Sequence, residues 1–150
     1  MDVQELLDRQ EIENLRAAYN IAGDRGRPEG LAAVFAEDGV LEGASGARQG
    51  RTAIVEMLTG ISAGEHNPKG GKPWRLSRHH LTTSQTIFED AAHASGRTYF
   101  VVVTETGLDH SGVYTDRYEK RDGRWWIVHR RVRIDWAAAD GHVEASRVFN

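Results

Sequence analysis

The chain has 150 residues, 39% of them hydrophobic and 27% charged, and a domain of this length buries roughly 68–70% of its unfolded surface. The absence of cysteine excludes disulfide scaffolds, thiolate metal sites and thiol nucleophiles. A net charge of −3 gives no general attraction to nucleic acid or to anionic lipid. We therefore expect one domain over residues 1–150, with a core over 1–136 and a tail over 137–150, and neither nucleic acid nor membrane as a partner.

The first helix is predicted by apolar residues that recur at spacings of three and four from Val3 to Ala22. Asp2 and Glu5 form a capping box at its start, and Gly23 ends it. This acidic, helical beginning is unlike a secretory signal, so we expect a cytoplasmic protein.

Two further helices are predicted before residue 62. Pro28 begins the second, which ends near Gly39. Its apolar face carries Leu31, Val34 and Phe35. A brief strand over 40–42 and a glycine-rich turn follow, and apolar residues from Ile54 to Ile61 mark the third helix.

The second half of the chain has the two-residue period of β-strands. A long loop over 62–75 comes first. The predicted strands are 79–88, 95–106, 112–121 and 124–136. Asp122-Gly123 is a strong hairpin signal between the last two. The pattern predicts an α+β domain with three helices on one face of a bent, mainly antiparallel sheet.

The order of several short motifs resembles the SnoaL-like family of the nuclear-transport-factor-two-like superfamily. The matching stretches are Ile12–Tyr19, Asp24, Val34–Gly39, Gly50-Arg51, Arg78–Thr83, Gly112–Glu119 and Asp122–Trp125. The resemblance implies a cone-shaped curved sheet, antiparallel or mixed, whose helices enclose a pocket. Its members include scytalone dehydratase, bile-acid 7α-dehydratase and hexachlorocyclohexane dehydrochlorinase, and also subunits without chemistry of their own, so the fold leaves the function open.

The resemblance also implies a site. The family's catalytic Asp follows the first helix and its His lies on the first long strand, which correspond to Asp24 and His79. The dehydratases have a tyrosine five residues before that Asp, here Tyr19, where the dehydrochlorinase has lysine. This difference favours water over chloride as the leaving group. The dehydrochlorinase arginine that follows the last turn corresponds to Arg130.

The Asp24–His79 assignment also makes chemical sense. A neutral imidazole is the commonest general base near pH 7, and a carboxylate on Nδ1 fixes its tautomer and stabilises the imidazolium. The alternatives are a turn or helix-capping role for Asp24 and a hydrogen-bonded interior role for His79. Adjacent strand residues point to opposite faces, so His80 is the competing base, and we favour His79.

The other two candidates have structural alternatives as well. Tyr19 is either a core tyrosine or a phenol that donates a hydrogen bond to a substrate oxygen. Strand alternation places Arg130 in a row with Trp126, Val128, Val132, Ile134 and Trp136. An arginine in such an apolar row needs an anionic ligand or a partner, for which Asp116 is the candidate.

The expected pocket lining is apolar. Its candidate residues are Tyr114, Trp126, Trp136, Val101, Val103 and Met57. The seven histidines lack ligand spacing, and no nucleotide-binding motif is present. We therefore expect no metal and no cofactor.

These features predict a cofactor-independent lyase of dehydratase type that acts on a small hydrophobic, hydroxylated ring compound such as a steroid, polyketide or aromatic. An isomerase or hydrolase on the same cone, and a non-catalytic subunit like that of ring-hydroxylating dioxygenases, are the alternatives. We also expect a homo-oligomer, a trimer in preference to a dimer. The expected contact is an outer sheet face that carries His80, Thr82, Arg131 and Arg133.

Overall fold

The computed structural model describes residues 1–63 and 75–146. Most of the loop predicted over 62–75 therefore lies outside the described residues. The helices are α1 (Val3–Asp24), α2 (Pro28–Ala32) and α3 (Arg51–Ser62). The strands are β1 (Phe35–Gly43), β2 (Gly46–Gln49), β3 (Ser77–Phe88), β4 (His93–Thr104), β5 (Gly107–Arg121) and β6 (Arg124–Ala137).

All six strands form one sheet in the order β2-β1-β6-β5-β4-β3. The pairing of β1 with β6 is parallel and the other pairings are antiparallel. The sheet is a mixed, curved sheet that does not close, which confirms the predicted α+β class. Asp122 and Gly123 both adopt positive φ, 51° and 77°, as the two-residue hairpin turn between β5 and β6 requires.

The core lies between α1 and one face of the sheet. It is built from residues such as Ile12 and Leu31 on the helices and Phe100, Tyr114 and Ile127 on the strands, each at most 2% exposed. Residues of β4 alternate strictly, with the even-numbered positions from Ala94 to Thr104 buried. We call this buried, helix-covered side the inner face.

The second helix is shorter than predicted. It ends at Ala32, and Val34 and Phe35 belong instead to the entry into β1. The backbone N–H of Ile127 on β6 donates to the carbonyl of Val34 at 2.9 Å. Val34 and Phe35 would be buried both on a helix face and in a central strand. Their apolar pattern therefore did not distinguish the two structures.

Candidate active site

Asp24 and His79 form a hydrogen-bonded pair at the junction of α1 and β3. Oδ1 of Asp24 lies 2.6 Å from Nδ1 of His79, and its Oδ2 accepts the backbone N–H of His79 at 2.9 Å. The Ser77 hydroxyl also donates to Oδ1, at 3.2 Å. The carboxylate thus holds the histidine by ring and by backbone, which restricts the orientation of the ring.

The electrostatics of the pair define its tautomer. Partial burial raises the pKa of Asp24, but hydrogen bonds from the His79 ring and backbone, and from Ser77, outweigh it and leave the pKa below its ordinary value. An ionised carboxylate only accepts hydrogen bonds, so Nδ1 of a neutral His79 carries the proton. Nε2 then has a free lone pair, which is the arrangement a general base needs.

His80 lies on the other side of the strand. Its side chain is exposed, whereas His79 is half-buried with its ring 5.9 Å from that of the inner-face residue Phe100. Strand alternation therefore gives the two adjacent histidines different surroundings.

Arg130 is fully buried and has a protein partner. Its Nε and Nη2 donate to the two carboxylate oxygens of Asp116 at 2.8 and 2.7 Å. Tyr118 donates a further hydrogen bond to Asp116 at 2.6 Å. Of the two roles expected for Arg130, ion pairing with Asp116 is the one this geometry supplies. Its Nη1 is buried without a hydrogen-bond partner in the described part of the chain.

Tyr19 and Tyr114 enclose the Arg130 guanidinium. Each ring centroid lies 4.2 Å from the guanidinium carbon. Tyr114 stacks on Phe100 with centroids 4.4 Å apart, and Phe100 in turn contacts His79. A continuous row of aromatic rings therefore leads from Tyr19 to the Asp24–His79 pair.

The burial of Tyr19 keeps its hydroxyl protonated. Burial raises the pKa of the phenol above its ordinary value, and Asp116 adds to this, while the positive charge of Arg130 opposes it. The hydroxyl is therefore a hydrogen-bond donor at neutral pH.

The structure divides the expected lining residues into two groups. Tyr114 is buried and Met57 packs against the core. Val101 and Val103 lie on the opposite face of β4 from the buried residues Phe100 and Val102. Their assignment to the pocket lining was wrong because the inner face of β4 uses the even positions.

Irregularities in β6 move Trp126 and Trp136 off the Arg130 row. The pairing with β5 shifts between Ile127 and His129, and again between Ile134 and Trp136. A residue added to one strand reverses the alternation beyond it. Trp126 consequently packs on two arginines, with the guanidinium carbons of Arg51 and Arg124 5.0 and 3.9 Å from its ring centroid, and Trp136 is 46% exposed.

A similar shift corrects the expected faces of β3. Pairing with β4 slips between Leu81 and Ser84. Ser84 and Thr86 therefore lie on the inner face, where both hydroxyls accept hydrogen bonds from the buried side chain of Arg16. Strict alternation from His80 and Thr82 would have placed Ser84 and Thr86 on the outer face instead.

A second carboxylate–histidine cluster lies beside the first and was missed by the sequence analysis. Asp109 is buried, and its Oδ2 lies 2.7 Å from Nδ1 of His110. Its Oδ1 lies 2.6 Å from Nδ1 of His142 and accepts the backbone N–H of His142 at 2.9 Å. The rings of His110 and His79 have centroids 6.3 Å apart and stand nearly perpendicular.

The register of the sheet explains why His79 and His110 lie side by side. His79 on β3 and His110 on β5 both pair with Val102 on β4, so they flank it on the inner face. Asp109 is the extra residue where the β4–β5 pairing shifts, which lets it and its neighbour both be buried. Regular alternation would have placed either Asp109 or His110 on the outer face. The adjacent Asp109 and His110 in the sequence therefore did not reveal the cluster.

The charged groups of another groove are already bound to each other. An outer-face groove of about 520 Å³ is lined by charged groups including Asp38, Glu119 and Arg121. These three are bound to each other, with Arg121 donating to both carboxylates. Over residues 1–63 and 75–146 no group of three or more His, Asp or Glu side chains is arranged to hold a metal ion. The described helices include none long and apolar enough to span a membrane.

Comparisons with known proteins agree with this architecture. The candidate scytalone dehydratase of Novosphingobium aromaticivorans is 27% identical, with a TM-score of 0.80 over 97% of this chain and 95% of that one. A Mycobacterium tuberculosis protein of unknown function is 29% identical, with a TM-score of 0.73 over 93% of this chain and 79% of that one. Hexachlorocyclohexane dehydrochlorinase of Novosphingobium barchaimii shares the fold at 20% identity, with a TM-score of 0.78 over 96% and 99%. No curated protein matches the sequence.

The match to a family model defines the relationship. The model of the SnoaL-like domain matches residues 4–131, which covers most of the chain and both members of the Asp24–His79 pair. The protein belongs to the SnoaL-like family.

Proposed function

We propose that the protein is a cytoplasmic, cofactor-independent lyase of dehydratase type, acting on a hydroxylated hydrophobic ring compound such as a steroid, polyketide or aromatic. The observation that carries the proposal is the 2.6 Å contact between Asp24 and His79, which leaves Nε2 of His79 as a base. Membership of a family with dehydratases and dehydrochlorinases among its structural neighbours supports a lyase-like activity.

In the proposed reaction, Nε2 of His79 removes a proton from a carbon next to a substrate carbonyl. The electron pair of that C–H bond forms the new double bond, and the neighbouring C–O bond breaks with its electron pair on oxygen. The imidazolium of His79 returns the proton to the departing hydroxyl, which leaves as water. Asp24 stabilises the imidazolium while it exists.

Tyr19 and Arg130 have supporting roles in this proposal. The Tyr19 phenol donates a hydrogen bond to a substrate oxygen, since its hydroxyl stays protonated. Arg130 acts through Tyr19 as a positioning residue, because two of its donors are bound to Asp116. Tyr114 and Met57, with Phe100 and Val102, supply apolar surface for the ring system.

The test is dehydration of 3-hydroxy-1-tetralone, a bicyclic β-hydroxy ketone that becomes fluorescent 1-naphthol when it loses water. General-base catalysis contributes about 10²–10⁴-fold, so His79→Ala should lower turnover by that order. His80→Ala is the matched control and should retain wild-type turnover. Activity that survives His79→Ala would disprove this assignment of the base, and activity lost on adding a chelator would indicate a metal enzyme.

A second measurement separates the isomerase and the non-catalytic subunit from the lyase. In D₂O the wild-type protein should exchange the α-hydrogens of 1-tetralone, which has an acidic C–H and no hydroxyl to lose. Exchange without dehydration of the hydroxylated ketone would favour an isomerase. A non-catalytic subunit would show neither reaction.

We also propose a homo-oligomer, a trimer in preference to a dimer, that packs through the outer sheet face. His80, Thr82 and Arg131 on this face are exposed, and Arg133 is half-buried. Sedimentation velocity at micromolar concentration should detect the oligomer, and Thr82→Glu should shift it towards smaller species. A monomeric wild-type protein would contradict the proposal.

A further inference from the structure

His110 has the same local arrangement as His79. Each ring has Nδ1 bound to a buried or partly buried aspartate, at 2.7 Å in His110 and 2.6 Å in His79. Over the described residues, neither Nε2 has a hydrogen-bond partner. The inner face therefore presents two imidazole nitrogens on rings 6.3 Å apart, although the proposed elimination uses one.

The second imidazole is bound to a carboxylate that is itself held by further hydrogen bonds. Asp109 is fully buried, accepts from His110 on one oxygen, and accepts both the ring and the backbone N–H of His142 on the other. The His110 side chain is 4% exposed and its ring also contacts Phe100, with centroids 6.0 Å apart. The bond to Asp109 and the contact with Phe100 orient the His110 ring and so define the direction of its Nε2.

The charge state of His110 determines what it can bind. Burial lowers the pKa of His110 below its ordinary value; Asp109 opposes this, and the neighbouring His79 and His142 add to the lowering. Since Nδ1 carries the proton and donates a hydrogen bond to the carboxylate, Nε2 of the neutral ring is an acceptor only. Its partner must be a donor, and a hydroxyl group is the donor that the proposed class of hydroxylated ring compound supplies.

We propose that His110 is a substrate-binding residue whose Nε2 accepts a hydrogen bond from a hydroxyl group of the substrate. This inference rests on the proposed function, since it concerns the same site. It narrows the substrate class to compounds with a hydroxyl group near the carbon that loses its proton. The ligand carries a hydroxyl at His110 beside the C–H group that faces His79. His142 acts through Asp109 as a positioning residue for this subsite.

The test compares 2-naphthol with 2-methylnaphthalene, which have similar size and differ in the hydroxyl. Binding of each is followed by NMR titration of the wild-type protein without any turnover. A hydrogen bond between neutral groups corresponds to about a two- to tenfold gain in affinity. The wild-type protein should therefore prefer 2-naphthol by about that factor.

Two variants of His110 separate its two nitrogens. His110→Asn places an amide nitrogen where Nδ1 was and keeps the bond to Asp109, but has nothing at the position of Nε2. His110→Gln places an amide oxygen near the Nε2 position and loses the bond to Asp109. The preference for 2-naphthol should disappear in His110→Asn and persist in part in His110→Gln.

His79→Asn and His93→Asn complete the set. His93 is an exposed histidine with its own aspartate, Asp90, at 2.9 Å, and its variant should bind both ligands like the wild type. His79→Asn should keep the preference for 2-naphthol. If the preference is lost in His79→Asn and kept in His110→Asn, the hydroxyl binds His79 and the proposal is wrong.

The outcome is independent of the proposed reaction. A protein that does not dehydrate the tetralone can still show a hydroxyl preference that depends on His110, which would support this inference alone. No preference in the wild type, or no binding of 2-naphthol up to its solubility limit, would overturn the inference even if dehydration depends on His79.

Discussion

Arg130 and Asp116 form a two-bond ion pair with both side chains fully buried. The Arg130 guanidinium contacts the rings of Tyr19 and Tyr114, which begin the row of aromatic residues that leads to His79. Charges removed from water are tolerated when each is matched by the other and by further hydrogen bonds. Removing one partner should therefore be costly.

We expect Asp116→Ala to lower the free energy of unfolding by about 3–5 kcal/mol, because it leaves the Arg130 guanidinium buried and unmatched. Urea denaturation measures this. Asp135→Ala is the control, since the side chains of Arg133 and Asp135 keep 43% and 42% of their surface accessible and exposed ion pairs contribute about 0–1 kcal/mol. Equal effects of the two substitutions would mean that the buried pair does not stabilise the fold.

Asp24→Asn should reduce turnover of 3-hydroxy-1-tetralone by about 10²–10⁴-fold, comparable to His79→Ala. The amide can still bond to His79, but it favours the wrong tautomer and cannot stabilise the imidazolium. Asp90→Asn, which alters the exposed Asp90–His93 pair, should leave turnover unchanged. Retention of more than a third of the activity by Asp24→Asn would show that the carboxylate is dispensable.

The pKa of His110 predicts a pH dependence of stability. Its pKa is lowered in the folded state, mainly by burial and also by His79 and His142 against the opposing effect of Asp109. Between that lowered value and about 6.5, the ordinary histidine pKa, the unfolded chain binds more protons than the folded one at this site. Stability from this site is therefore present above about pH 6.5 and lost as the pH falls below it.

Urea midpoints at pH 7.5 and 5.5 measure this loss. The aspartates of the site stay ionised over this range, since hydrogen bonds from the neighbouring histidines outweigh burial and hold the pKa values of Asp24 and Asp109 below the ordinary aspartate value. The decrease from pH 7.5 to 5.5 should be smaller in His110→Asn than in the wild type, whereas His93→Asn should match the wild type. The same decrease in all three proteins would contradict the lowered pKa of His110.

Gly112 should not tolerate a side chain. A Cβ built there would lie 2.1 Å from the carbonyl oxygen of Arg133 and 2.8 Å from the ring of Phe100. Since the first contact is with backbone of the paired strand, Gly112→Ala should cost about 2 kcal/mol or more in the free energy of unfolding. Gly43→Ala, where nothing lies within 4 Å, should change stability by about 1 kcal/mol at most. Similar urea midpoints for the two variants would show that the sheet adjusts at Gly112.

The elements with strong local signals were predictable from the amino-acid sequence. The predicted strand over 124–136 is observed as Arg124–Ala137, and the first helix spans Val3–Asp24. The Asp122-Gly123 turn follows from residue types that accept positive φ. The resemblance to a family also indicated that Asp24 and His79, 55 residues apart, would meet, as they do at 2.6 Å.

Which side chains share the inner face depends on how the strands pair. Pairing shifts in β3, β5 and β6 reverse the alternation expected from sequence, and they depend on the neighbouring strand as much as on the shifted one. For this reason Trp126 left the expected pocket lining, and Asp109 and His110 both became buried beside His79. Val101 lies outside the lining for a different reason, because the even-numbered residues of the regular strand β4 face inward. The choice for Arg130 between an anionic ligand and the candidate partner Asp116 was also decided by register, because Asp116 and Arg130 face each other across β5 and β6.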